Sequence, residues 1–391
     1  MNRLKQLLTK LCPNGVRYVN IGSIVYYEQP SKYIVKSTSY SDNFEIPVLT
    51  AGQSFILGYT NEIENLYNAS KENPVIIFDD FTAAFKWVDF PFKVKSSAIK
   101  ILKAKSEETT LRYIFHIMGR INYFSNEHKR LWISIYSKIS IPLPPLPVQE
   151  EIVRILDKFT ELNAELNAEL NDRKQQYEYY RNKLLTFGDE VEYKPLGEIS
   201  NIFLGLTYTP TYVDSGVKFI SAQNTSRDFL DLTNVKYITE EEYKNSTSNA
   251  KPKKGDILFT RVGSNLGHPV IVDTEEELCI FVSLGFIRVD SDKVLNSYIN
   301  HWMKTDLFWS QVKKNVHGSA KVNLNTGWLK NFDVPIPSLK EQKRIVTILD
   351  KFDTLTNSIS EGLPREIELH QTRYEYYRDK LLTFKKLEKM D

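Results

Sequence analysis

The side chains best suited to chemistry in this 391-residue sequence do not combine into a catalytic pattern. Six histidines, His116, His128, His268, His301, His317 and His370, show no metal-ligand spacing with the two cysteines, Cys12 and Cys279, and zinc is held by closely grouped Cys and His. A methyl-transferring site would need a glycine-rich cofactor loop and an Asn/Asp-Pro-Pro-aromatic motif to grip the target amine. The nearest fragment, Asn73-Pro74-Val75, lacks the second proline and the aromatic, and reads as a turn before a strand. No Gly-x-x-x-x-Gly-Lys-(Ser/Thr) loop is present for ATP phosphates. Asp79-Asp80 and the Glu192-Tyr-Lys194 triplet could be combined into a metal nuclease on paper. Such pairs arise by chance in a chain with 49 acidic residues, and these two lie far apart.

The sequence does carry a long repeat, which must position whatever the rest of the chain does. Ile141-Pro-Leu-Pro-Pro-Leu-Pro-Val-Gln149 leads into Ile152-Val-Arg-Ile-Leu-Asp-Lys-Phe159; Val334-Pro-Ile-Pro-Ser-Leu-Lys-Glu-Gln342 leads into Ile345-Val-Thr-Ile-Leu-Asp-Lys-Phe352. Tyr177-Glu-Tyr-Tyr-Arg-Asn-Lys-Leu-Leu-Thr-Phe187 returns as Tyr374-Glu-Tyr-Tyr-Arg-Asp-Lys-Leu-Leu-Thr-Phe384, with four more residues between the conserved blocks of the second copy. Repetition on this scale is a statement about the fold. In the first copy Ile152, Ile155, Leu156, Phe159, Leu162, Leu166, Leu170, Tyr177, Tyr180 and Leu184 recur at three- or four-residue steps, which predicts one continuous buried stripe on a long helix. In the second, Ile345, Ile348, Leu349, Phe352, Leu355, Ile359, Ile367, Tyr374, Tyr377 and Leu381 do the same, with a kink or restart expected at Gly362-Leu363-Pro364. A helix of roughly 36 residues extends about 54 Å, so an antiparallel pair would serve as a spacer rod.

The frame extends further. Val16-Arg-Tyr-Val-Asn-Ile-Gly-Ser-Ile24, after a short amphipathic helix ending at Cys12-Pro-Asn-Gly15, matches Val191-Glu-Tyr-Lys-Pro-Leu-Gly-Glu-Ile199, after the first long helix. The order is therefore cyclic, and joining the two ends would complete a pseudo-two-fold ring. The expected segments are an N-terminal helix (1–15), a first head (16–147), a central long helix (148–190), a second head (191–340) and a C-terminal long helix (341–391). The predicted fold class is α+β. In the first head, strands are expected at 46–50, 74–78, 98–102 and 132–136, with a helix near 109–120. In the second, strands are expected at 217–220, 256–260, 269–272 and 286–289, with a helix at 295–314. Outside the frame the heads share little sequence.

Composition is that of an ordinary soluble protein with a net charge of +2. The charge is segregated: 150–172 holds seven acids and two bases, and 86–105 holds six lysines and one Asp. Two isolated cysteines, no apolar run of about 18 residues and no signal peptide predict a cytoplasmic protein.

Head, proline turn, long helix, twice over, resembles the specificity subunit of type I restriction-modification enzymes. The resemblance rests on Pro-x-Pro-x-Leu-x-x-Gln (142–149 and 335–342), Ile-Leu-Asp-Lys-Phe, Tyr-Glu-Tyr-Tyr-Arg-x-Lys-Leu-Leu, and Gly255-Asp-Ile-Leu-x-x-Arg261. It implies two target recognition domains, each reading half of a split double-stranded DNA site, held apart by helices that dock two methyltransferase (M) subunits. Restriction/translocase (R) subunits would join them. S-adenosylmethionine, ATP and Mg would belong to those partners, and the chain would bind no cofactor or metal and have no catalytic residue of its own. The scaffold positions so implied are Ile152, Leu156, Phe159, Leu166, Tyr177, Tyr180, Ile345, Leu349, Phe352, Tyr374 and Tyr377. The DNA-reading candidates are polar and basic residues in loops near aromatics or glycine: Lys86, Tyr123, His128, Lys129 and Arg130 in the first head, and Gln223, Asn224, Arg261, Ser264, Asn265, His317 and Lys321 in the second. Arg and Lys can bond guanine O6 and N7, Asn and Gln can pair with adenine, and other lysines neutralise phosphate. The competing reading is a two-headed protein-interaction scaffold without DNA specificity.

Overall fold

The computed structural model describes all residues except 1, 51, 53, 106, 122–129, 247, 264, 291, 316–322, 359 and 388–391. The chain forms two compact units, residues 1–165 with 368–391, and residues 166–367. Each unit therefore takes one head, the beginning of one long helix and the end of the other.

In the first unit, Arg17–Asn20 pairs antiparallel with Ser140–Leu143, so that Tyr18 lies opposite Pro142. In the second, Glu192–Pro195 pairs with Asp333–Ile336, and Tyr193 lies opposite Pro335. The proline-rich segment is thus a strand before it is a turn. This two-stranded ribbon takes one strand from each end of a head, and so closes the head on itself. The glycine of the frame sits where the chain folds tightly: a Cβ on Gly22 would meet Ser137 Cβ at 2.9 Å, and one on Gly197 would meet Lys330 Cβ at 3.1 Å.

Among the described residues the two heads have one topology in spite of their divergent sequences. A four-stranded antiparallel sheet runs Val25–Glu28, Ile99–Ala104, Val75–Asp79, Phe85–Val88 in the first unit and Ser200–Leu204, Leu284–Val289, Ile257–Thr260, Pro269–Ile271 in the second. A three-stranded sheet has its centre at Ile46–Leu49 in one and Val217–Ile220 in the other, with one antiparallel and one parallel neighbour each. Pro269 begins an edge strand, a place where its missing N–H removes no ladder bond.

Two expectations need correction. Residues 132–136 are not a strand: Leu131–Ser134 is a helical turn followed by the 3-10 turn Tyr136–Lys138. Trp132 and Tyr136 are buried on one side while Ile133 is 57% exposed, a four-residue spacing that the alternating pattern disguised. Buried Asp80 sets this turn, its Oδ1 accepting from Trp132 N at 2.8 Å. Asp79 Oδ1 accepts from the N–H groups of Phe81 and Thr82, so Asp79 holds local backbone and Asp80 holds a turn 52 residues away. The helix expected at 295–314 is two helices, Asn296–Trp302 and Asp306–Asn315. The chain tightens at Thr305, whose Oγ1 accepts from Phe308 N (3.3 Å) and satisfies a donor of the new helix.

The first long helix is continuous over Leu146–Leu184. The second copy is Leu339–Asn357 and Gly362–Leu381. Gly362 restarts the helix with φ +74°, and a Cβ there would lie 2.5 Å from Thr354 O, which only glycine tolerates. Four residues separate the two helices, equal to the excess length of the second copy.

Within each unit the helix segments pack antiparallel. Phe159 lies against His370, Tyr374 and Tyr377, and Phe352 stacks on Tyr177 and Tyr180. Ile152, Leu156, Leu166, Tyr177, Ile345 and Leu349 are buried, whereas Phe159, Phe352, Tyr374 and Tyr377 are half-buried. The stripe is not continuous, because Leu162 and Tyr180 are exposed. In the first unit the C-terminal segment returns to the frame: Val16 N donates to Lys385 O, and Leu387 N donates to Val16 O, both at 2.9 Å. Tyr18 Oη donates to Phe384 O (2.9 Å), and Tyr193 Oη repeats this with Phe187 O (2.8 Å) in the second unit.

Candidate nucleic-acid interface

Each head is fastened to its helices by a buried glutamine, the last residue of the proline motif. Gln149 Nε2 donates to Glu108 O (2.9 Å) and Pro144 O (2.7 Å), and its Oε1 accepts from Thr109 Oγ1 (2.9 Å) and Thr110 N (3.3 Å). Gln342 Nε2 donates to Lys293 O (2.7 Å) and Pro337 O (2.9 Å), and its Oε1 accepts from Leu295 N (3.0 Å). The amide offers two donors and two acceptor sites, and it ties two backbone segments to the start of its helix, 108–110 and Pro144 in the first unit and 293–295 and Pro337 in the second.

Above that frame, the second head brings three loops together. Strand Val217–Ile220 runs into the 3-10 turn Ala222–Thr225, strand Ile257–Thr260 into Arg261, and strand Leu278–Ile280 into the turn at Ser283. Arg261 N donates to Ser283 O (2.8 Å), and Ser283 Oγ accepts from Ala222 N (3.2 Å). Gln223 is exposed and lines a pocket of about 390 Å³ with Tyr212, Asn234 and Lys236, where the Lys236 ammonium sits 4.1 Å from the Tyr212 ring centre. Arg261 is half-buried, and its Nε has no hydrogen-bond partner among the described residues. That Nε is itself buried, so of the five N–H donors of the guanidinium only those on the terminal nitrogens are left for a contact outside the fold. Asn265 is exposed, beyond Gly263.

Asn224 requires a correction. It is buried, its Oδ1 accepts from Ser221 N, and its Nδ2 donates to Asp231 O and Asn234 O, at 3.0 to 3.1 Å. Both ends of the amide are used inside the head, leaving none for a base. In the first head, Lys86 is exposed on the edge strand Phe85–Val88, and Arg130 is exposed just before Leu131–Ser134. Tyr123, His128, Lys129, Ser264, His317 and Lys321 lie outside the described residues. The lysine-rich run 86–105 is not one basic face. Lys93 and Lys100 are buried, Lys93 bonding Glu64 O and Glu62, and Lys100 meeting Asp80 and Gln29. Lys103 pairs with Glu28 at 3.6 Å. Burial of an amphipathic ammonium requires such partners, and a lysine so engaged is lost to phosphate.

Two buried histidines were missed as functional positions. In the first unit His116 Nε2 lies 2.8 Å from Asp157 Oδ1 and His116 Nδ1 lies 3.2 Å from Tyr374 Oη. In the second, His301 Nε2 lies 2.7 Å from Asp350 Oδ1 and His301 Nδ1 lies 3.3 Å from Tyr177 Oη. Burial lowers the His116 pKa despite the neighbouring Asp157, so the ring is neutral at pH 7; Nε2–H donates to the carboxylate and Nδ1 accepts the phenol proton. Asp157 is itself held low: burial opposes ionisation, and hydrogen bonds from His116 and Arg112 outweigh it. The available signal was a second repeat, Tyr113-Ile-Phe-His-Ile-Met118 against Tyr298-Ile-Asn-His-Trp-Met303.

A profile of the type I restriction modification DNA specificity domain matches residues 13–173 and again 188–369, one match for each head with its helix. The chain is also 44% identical, over 99% of its length and 98% of the relative's, to the specificity subunit of the type I restriction enzyme EcoR124I/EcoR124II of Escherichia coli. The chain belongs to the type I restriction-modification specificity subunits. A second Escherichia coli relative, the EcoprrI specificity subunit, is 35% identical over 58% of the chain and 55% of the relative. The fold of this specificity subunit is similar to the crystal structure of the type I restriction-modification S subunit of M. genitalium, at a TM-score of 0.56 and 14% identity, covering 94% and 96% of the two chains. Its two heads are DNA-specificity domains. No helix among the described residues is long and apolar enough to cross a membrane.

Proposed function

We propose that this specificity subunit chooses the DNA site for a cytoplasmic restriction-modification complex and leaves all chemistry to its partners. Each head reads one half of a split double-stranded site, and the helices set the gap. Two M subunits contribute S-adenosylmethionine and methyl transfer, and R subunits contribute ATP- and Mg-dependent translocation and cleavage. The observation that carries this reading is one frame, written twice, bearing two heads of the same topology and different loop residues. Duplicated scaffolding with diverged loops is what reading two unrelated half-sites with one partner type requires. Matching exposed clusters, Tyr179 with Lys183 and Tyr376 with Lys380, support equivalent partner contacts on the two helix ends; exposed tyrosines are frequent interface anchors.

The purified chain alone is expected to show neither methylation nor cleavage. With its methyltransferase partner and S-adenosylmethionine it should produce adenine methylation at a split site, read by sequencing the methylome. Exchanging 191–340 for the corresponding segment of a relative should change one half of that site only. Methyl transfer by the isolated chain, or a change in both halves, would overturn the proposal.

Arg261 is the base-reading candidate whose placement supports the role best. Arg261→Ala should cost about 1–3 kcal/mol at a single base position, seen as tolerance of any base there. A uniform loss over all DNA sequences, with a shallower salt dependence, would assign Arg261 to phosphate instead.

A further inference from the structure

The Tyr–His–Asp arrangement occurs once in each unit, built each time from a head, the first part of one long helix and the last part of the other. The two sets were reached through different surroundings. Asp157 also takes an ion pair from Arg112 (2.7 Å), whose guanidinium lies over Trp87 and Phe115. The Asp350 side chain is 59% exposed and has no second cation among the described residues. What is common is the linkage alone: a fully enclosed imidazole on the head, a carboxylate one side and a phenol the other. Apolar packing around Phe159 and Phe352 already buries these surfaces. Apolar contact, however, is non-directional, whereas the hydrogen bonds of a buried imidazole are satisfied at one geometry and penalise rotation away from it.

We propose that each Tyr–His–Asp set is a clamp that fixes the angle of its head on the helices, and that the two clamps together make the subunit strict about the number of base pairs between half-sites. His116 and His301 are positioning residues in this scheme and touch no DNA. The inference rests on the reading of a split site by two heads, and the test separates the two.

The methyltransferase complex is assembled with wild-type chain or with the Tyr374→Phe, Tyr177→Phe double variant. Initial methylation rates are then compared on DNA with the native gap and with gaps one base pair shorter and longer. Removing two hydroxyls leaves the aromatic packing in place and should lower the preference for the native gap on the order of tenfold, the size expected for two buried hydrogen bonds. A merely structural role would slow all three substrates alike, as would warming the wild type towards unfolding. Asp350→Ala and Asp350→Asn ask the same at a side chain that is 59% exposed. Alanine should relax the gap, and asparagine, which keeps the acceptor for Nε2–H, should restore strictness. Wild type that methylates a split site strictly, with variants equally strict, overturns the clamp alone. Wild type with no gap preference removes the split-site reading, and the clamp's role with it.

Discussion

Gln149→Leu is expected to release the first head from its helix, at a cost of about 3–5 kcal/mol. The substitution preserves volume and apolar contact but abolishes four hydrogen bonds at a fully buried position. Thr109 Oγ1, Thr110 N and Pro144 O lose a partner that water cannot easily replace, and each buried polar group so stranded costs about 1–3 kcal/mol. Thr110 is also the N-cap of helix Leu111–Met118, its Oγ1 accepting from Tyr113 N, so the damage should spread to the helix that carries His116. Urea-dependent amide exchange should show Leu111–Met118 opening earlier, with Asn296–Trp302 in the other unit unchanged. Gln342→Leu should reverse the pattern. A loss below about 1 kcal/mol would mean that the frame relaxes around the missing amide, and that the motif's glutamine is not what fastens the heads.

A third Asn-Ala-Glu-Leu unit, inserted after Leu170, is expected to lengthen the gap of the recognised site without changing either half. The existing tandem, Asn163-Ala-Glu-Leu166 and Asn167-Ala-Glu-Leu170, lies inside the continuous helix Leu146–Leu184. Leu166 is buried, and Ala164, Glu165, Asn167, Ala168 and Glu169 are exposed. Four residues add about 6 Å and advance the helix by about 40° beyond one full turn, so the leucines stay near one face while the helix grows. At about 3.4 Å per base pair this corresponds to at most two additional base pairs, and fewer if the helix is inclined to the duplex. Methylome sequencing of cells carrying the variant and its partner decides the matter. An unchanged gap in an active protein would show that this repeat only packs.

The long helices, their break and the twofold frame were legible because they are written as periodicity and repetition, both local in the chain. Ile152, Leu156, Ile345 and Leu349 fall inside as the three- and four-residue spacing requires. Gly362 begins the second helix, with four residues between it and Asn357 where the first ends, on a backbone that no other residue fits. The same local logic failed at Trp132-Ile-Ser-Ile-Tyr136, where an alternating pattern suited a strand, but the buried carboxylate of Asp80 capped a helical turn. It failed also along 86–105, where like charges read as one patch and each buried lysine had its own acceptor elsewhere in the head.

The sequence by itself determined that there are two heads on duplicated helices, and it carried the family resemblance through the proline-glutamine, Ile-Leu-Asp-Lys-Phe and Tyr-Glu-Tyr-Tyr blocks. Only the tertiary structure decided what those blocks do. The glutamine binds backbone, the aspartate receives a histidine from the head, and the first tyrosine of each Tyr-Glu-Tyr-Tyr block closes the same histidine from the opposite helix, 258 residues away in the first unit. It also decided that Asn224 is spent on its own loop while Arg261 stays half-buried, with its backbone tied to Ser283. Spacing along a chain encodes which residues share a face. A buried polar group is instead defined by the partner that satisfies it, and that partner is brought near only when distant segments have packed.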